Sequence, residues 1–278
     1  MQLLKDMEIG VMFWGGRDPV ETIRELKAMG VKCGQIGIPG DMPLAGAAEK
    51  WKSALEAEHF TVVTAFCAYT GENYADIPTV QRTVGFIPRA TRAEREKRTN
   101  EVSDFARQLG IPSVAAHIGF VPEDSSNDDY QSVLGLVRRV CDHAGKNKQT
   151  FALETGQESA ESLLNFFIDV NRPNLAINFD PANMILYGSG DPIEALGTLA
   201  AHVVSVHCKD GDWPPKGSPG ALGVEKPLGQ GSVGMEKFIG KLKSIGFKGP
   251  LNIEREEPDQ AQRLRDIAMG VKLLEKLT

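Results

Sequence analysis

Histidine and cysteine are scarce in this chain, with five and four among 278 residues. The cysteines, Cys33, Cys67, Cys141 and Cys208, stand far apart with no CxxC pair, so they suggest neither a zinc ribbon nor a disulfide framework. Reduced thiols in a cytoplasmic protein are the expectation. Long apolar runs are missing too, and MQLLKDMEIGVMFW has no apolar stretch leading to a small-residue cleavage site. No membrane partner is expected. An excess of positive charge is also lacking: 31 Lys and Arg against 37 Asp and Glu leave a net charge of -6. That balance offers no general basic field to a nucleic-acid backbone, so nucleic acid is not expected as a partner. Small neutral or anionic metabolites fit better.

What is present is a regular alternation. Strand-length apolar runs at Ile9–Trp14, Lys32–Ile36, Thr61–Phe66 and Ser113–His117 are followed by helical periods at Asp18–Met29, Ala45–Glu58, Arg92–Leu109 and Asp129–Ala144. The second half repeats this. Phe151–Glu154, Leu175–Phe179, Val203–His207 and Leu251–Glu254 precede helices at Glu158–Ile168, Pro192–Leu199, Met235–Ile245 and Ala261–Leu274. In the first unit Asp18 can cap, Pro19 can take the first turn and Gly30 can end the helix. Eight βα units with no linker of domain-boundary type predict an α/β fold, a (β/α)₈ TIM barrel, as one domain over residues 1–278. An open, doubly wound sheet is the alternative, because alternation does not show closure. The long connections Ala68–Thr91 and Lys209–Gly234 follow strand C-termini, where barrel substrate loops gather, and read as candidate lids.

Four successive strand ends carry metal-capable side chains: Glu154 in FALETGQE, Asp180 in INFDPAN, His207 in VSVHCKD and Glu254 in LNIEREE. Any one of them alone is more often a helix cap or an ion-pair partner. Four at consecutive strand ends outweigh that reading. In a barrel these ends converge, so residues 26, 27 and 47 positions apart can meet at one point. Three carboxylates and an imidazole suit one divalent ion, Mn²⁺, Mg²⁺, Co²⁺ or Zn²⁺. Cys208 should face the other side of its strand and pack. His59, His143 and His202 read as structural.

The phrases VAAHIGFVPED, LETGQE, FDPANMILYG, HVVSVHCKDGD and LNIEREE resemble the sugar phosphate isomerase/epimerase family, the xylose-isomerase-like barrels, over nearly the whole chain. Ketose 3-epimerases, hydroxypyruvate isomerases, inosose dehydratases and a branch of apurinic-site endonucleases belong to that group. The resemblance implies a TIM barrel with one divalent metal, manganese among the candidates, on Glu154, Asp180, His207 and Glu254. It also implies a carbohydrate substrate and, since such barrels commonly associate, a homo-oligomer.

The implied activity is isomerisation or epimerisation of a small keto sugar, sugar acid or sugar phosphate. Metal bound to the carbonyl and the adjacent hydroxyl stabilises an enediolate, while Glu154 and Glu254 act as the acid/base pair. Candidate substrate-binding residues are His117, Trp14, Gln35, Glu72, Gln157, Asn183 and Lys209; Lys216 and Lys226 read as solvated loop lysines. The cluster Arg89, Arg92, Arg95, Lys97 and Arg98, interleaved with glutamates, reads as a salt-bridged solvent face, with Arg89 and Arg92, near the long third connection, set apart as exceptions to test for a phosphate. Asn183 stands where some relatives carry a histidine, and Glu158 lies near the place of a further acidic residue in ketose epimerases. The rival readings are a sugar dehydratase and a non-catalytic sugar-binding barrel. With five histidines in all, the trinuclear site of the endonuclease branch is not expected.

Overall fold

In the computed structural model, which describes residues 4–278, strands β1 (Ile9–Trp14), β2 (Cys33–Ile38), β3 (Thr61–Cys67), β4 (Ser113–Ala116), β5 (Thr150–Glu154), β6 (Leu175–Phe179) and β7 (Val203–Cys208) run in parallel. A hairpin of β8 (Asp210–Asp212) and β9 (Val224–Lys226) follows, and β10 (Leu251–Ile253) completes the ring. The order β1-β10-β7-β6-β5-β4-β3-β2 closes on itself, so the sheet is a barrel and not an open doubly wound layer. Helices wrap the outside. Asp18 caps Pro19–Ala28 by accepting from the Glu21 amide, as its place before Pro19 predicts.

The period of two along each strand sorts side chains between two cores. Phe151 and Leu153 of β5 face the helices and join a large apolar shell. Ala152 faces the barrel interior, where it packs with Met12, Phe66, Ala115 and Ala176. The same parity carries polar side chains inward: Gln35, Asn178, Ser205, His207 and Asn252 are all buried. Small apolar residues and a polar belt therefore fill the barrel, and the belt lies under the strand ends.

Both long connections are built structure. The third carries helix Ile77–Thr83 and the seventh carries the β8–β9 hairpin. A further helix, Pro181–Tyr187, follows β6 at once. Neither short helix has the length at which apolar periodicity becomes readable.

The basic cluster corrects one expectation. Arg95, 3% exposed, donates to the Gly85 carbonyl at 2.6 Å and covers the Tyr69 ring, and Arg98 donates to the Pro39 and Met42 carbonyls. These two hold loops instead of lining a solvent face. Arg89 and Arg92 both grip Asp129. Among the described residues no helix is long and apolar enough to cross a membrane, and all four cysteines are free and buried.

Candidate functional site

Strands β10, β7, β6 and β5 are consecutive round the ring, and their ends bring Glu254, His207, Asp180 and Glu154 together. One donor atom from each lies within 4.8 Å of all the others. His207 Nδ1 sits 2.7 Å from Glu154 Oε1, 3.0 Å from Glu254 Oε2 and 3.6 Å from Asp180 Oδ2. Yet His207 Nδ1, Glu254 Oε2 and Asp180 Oδ2, all buried, make no hydrogen bond of acceptable geometry. Buried polar atoms normally find partners, so three orphans facing one point call for a ligand. Carboxylate oxygens with one imidazole nitrogen fit a divalent cation.

The groups behind these donors fix their direction. Asp180 Oδ1 accepts from the amides of Ala182 and Asn183, capping helix Pro181–Tyr187, which leaves Oδ2 for the centre. Capping accounts for Oδ1 and leaves Oδ2 available for the ligating reading. Across the barrel Gln35 Nε2 donates to Asn178 Oδ1 at 3.0 Å and to Ser205 Oγ at 2.6 Å. Its Oε1 then faces His207 Nε2 at 3.0 Å. Nε2 donates in that pairing, which turns Nδ1 toward the carboxylates at the centre.

Each outer carboxylate has its own cation. Glu154 Oε2 lies 2.8 Å from His117 Nε2, and Glu254 Oε2 lies 3.2 Å from Lys209 Nζ. Burial works to raise the Glu154 carboxyl, but His117 and His207 override it and hold it down to about 2. For His117 burial favours the neutral ring, yet the Glu154 carboxylate lifts it to about 9. Glu254 is held well below the usual carboxylate range against its burial, by His207 and then Lys209. Lys209 is raised despite burial because Glu254, Glu256 and Asp180 surround it.

A family model described as xylose isomerase-like TIM barrel matches residues 23–277. The chain belongs to this family. The crystal structure of a xylose isomerase domain protein from Planctomyces limnophilus is 43% identical, with a TM-score of 0.93 over 98% of this chain and 97% of that one. A D-tagatose 3-epimerase-like protein is 18% identical, with a TM-score of 0.74 over 98% and 97%. The uncharacterised protein MJ1311 of Methanocaldococcus jannaschii is 26% identical over 58% of this chain and 57% of its own length. The chain spans about half the length of the curated relatives it matches.

Above the centre of this xylose isomerase-like barrel a cavity of about 260 Å³ opens between the long connections. Trp14, Glu72, His117, Asn183 and Lys209 line it, each among the residues expected from the sequence. Glu72 is anchored there by the Tyr69 and Gly85 amides, and burial raises its carboxyl. Gln35 is placed otherwise. It is wholly buried in the barrel below His207 and touches the ligand set instead of the cavity. Gln157 is also buried, behind His117, with Nε2 3.3 Å from Nδ1. Glu158 accepts from the Val121 amide and lines a neighbouring cavity.

Sequence reading passed over Tyr74, Tyr187, Glu225 and Glu256, all of which line the pocket. Glu256 was within reach of it, since it continues the inward parity of Asn252 and Glu254. Glu225 arrives on the β8–β9 hairpin, whose pairing has no strong local signal.

Proposed function

We propose that the protein is a divalent-metal-dependent isomerase or epimerase of a small keto sugar, sugar acid or sugar phosphate. The observation that carries this is the pairing of two carboxylates at one centre with two separate cations, Glu154 with His117 and Glu254 with Lys209. Their strands stand three places apart in an eight-strand ring, so the carboxylates reach a bound ligand from different sides. The family membership and the epimerase-like neighbour support the same reading.

Glu154, Asp180, His207 and Glu254 would hold the ion, which supplies positive charge for the negative charge that develops on the substrate oxygens. One of Glu154 and Glu254, both held ionised, removes the proton from the hydroxyl-bearing carbon. The other, ionised at rest, takes up a proton from solvent and delivers it to the opposite face of the enediolate, which inverts the centre, while the first releases its proton to solvent; delivery to the neighbouring carbon isomerises the sugar. His117 and Lys209 keep the pair charged and oriented, and Trp14, Tyr74 and Tyr187 wall the cavity.

The test is solvent exchange. Metal-loaded protein, incubated in heavy water with unphosphorylated and phosphorylated ketoses and keto sugar acids, should place one deuterium on a substrate carbon while conserving the carbon skeleton and its oxygens. Glu154→Gln and Glu254→Gln should each lower exchange by about 10²–10⁴-fold. Loss of water from the product would move the assignment to a dehydratase. Unchanged turnover in both variants would end the two-carboxylate mechanism.

A further inference from the structure

We infer that the substrate of this pocket is an uncharged keto sugar of monosaccharide size, and that phosphate esters and sugar acids are excluded. The inference rests on the keto-sugar reading above and narrows it. Five glutamates line the cavity: Glu72, Glu154, Glu225, Glu254 and Glu256. Asp180 stands behind them, wholly buried. Against these acids, the lining holds two cationic side chains, His117 and Lys209, and no arginine among the described residues.

Both cations are already engaged. His117 Nε2 lies 2.8 Å from Glu154, while Lys209 Nζ has Glu254 at 3.2 Å, Glu256 at 3.0 Å and Asp180 at 3.8 Å. Several basic residues on or beside the connections around the pocket are paired as well, although Lys216 on the seventh connection has no ion pair among the described residues. Arg255 is spent on Glu225, Asp266 and Glu257, Lys226 stands 3.7 Å from Asp212, and Arg89 and Arg92 hold Asp129. Recognition of a phosphate or carboxylate calls for a free guanidinium, ammonium or cluster of amides. Here a substrate anion would instead meet Glu72 and Glu225, both partly buried, with the more exposed Glu256 at the rim.

What the lining offers is suited to a neutral polyol. Carboxylates accept from hydroxyl groups, and Trp14, Tyr74, Tyr187, Phe66, Leu186 and Leu222 provide faces for C–H surface. The cavity, about 260 Å³, lies just below the usual range for ligand sites and suits an occupant of about one sugar unit.

The experiment pairs substrates. Metal-loaded protein is offered the four D-ketohexoses, their terminal phosphates and matching keto sugar acids in heavy water, and deuterium incorporation is followed by NMR. Exchange in an unphosphorylated ketose, with kcat/KM at least about tenfold above that of its phosphate and acid counterparts, is the expected result. A phosphate or acid preferred over its parent sugar overturns this inference and leaves the metal-dependent keto-sugar reading standing. No exchange in any set, with metal bound, overturns both. A second measurement needs no substrate: titration of wild type, Glu225→Gln and Glu256→Gln with inorganic phosphate. Binding should strengthen by about three- to tenfold when either charge is removed, and saturable sub-millimolar phosphate binding by wild type would contradict the inference.

Discussion

Gln35 Oε1 lies 3.0 Å from His207 Nε2, joining β2 to β7 through the interior of the barrel. The amide has no freedom to turn over, because its nitrogen donates to Asn178 and Ser205. Gln35 is therefore a positioning residue for the imidazole. Gln35→Met, similar in volume but without the acceptor, should weaken divalent-metal binding by about 10–100-fold. It should also cost roughly 1–3 kcal/mol of stability through the partners left unsatisfied. Calorimetric metal titration and urea unfolding read the two effects separately.

Three orphaned donor atoms at Asp180, His207 and Glu254 predict that a divalent ion held there would stabilise the fold. Protein stripped with chelator and reloaded at about 100 times the metal dissociation constant should gain ~2.7 kcal/mol. For a chain of this size that is a rise in Tm of roughly 5–10 °C. Asp180→Asn should remove most of the gain in a calorimetric scan.

Arg95 holds the connection that brings Glu72 and Tyr74 to the pocket, through the Gly85 carbonyl at 2.6 Å and the Thr70 carbonyl at 3.4 Å. The loop packs tightly there: Gly85 has φ +66°, and a Cβ on it would come 2.0 Å from the Ile118 carbonyl carbon. Arg95→Ala should destabilise by roughly 2–4 kcal/mol, from lost carbonyl hydrogen bonds and the lost contact with Tyr69. Arg95→Lys should recover only part, since an ammonium does not reproduce the fork.

Hydrogen bonds from Arg89 and Arg92 hold the Asp129 carboxyl down to about 2, from an ordinary 3.8. An acid with a lowered folded pKa stabilises above its unfolded value and loses that contribution as pH falls through the folded one. The stability gap between wild type and Asp129→Asn should thus be full at pH 7 and close between about pH 4 and pH 2. Urea midpoints across that range check the sign.

Local patterning carried a large part of this protein. Hydrophobic period and turn residues marked eight βα units, and the ends of four successive apolar runs picked out Glu154, Asp180, His207 and Glu254, which the barrel brings together. The short helices, the β8–β9 hairpin and the burial of Arg95 were not legible, because each depends on what packs against a segment too short or too polar to declare itself. Closure itself belonged to the tertiary structure: β10–β7, β7–β6 and β6–β5 pairing sets the four strand ends side by side, and the β1–β10 pairing helps complete the ring that curves them toward one centre. Gln35 shows the reason most plainly. It lies 172 residues from His207 and on a strand that does not pair with β7, so they meet across the lumen. Barrel stagger and strand tilt set such contacts, and no spacing along the chain encodes them.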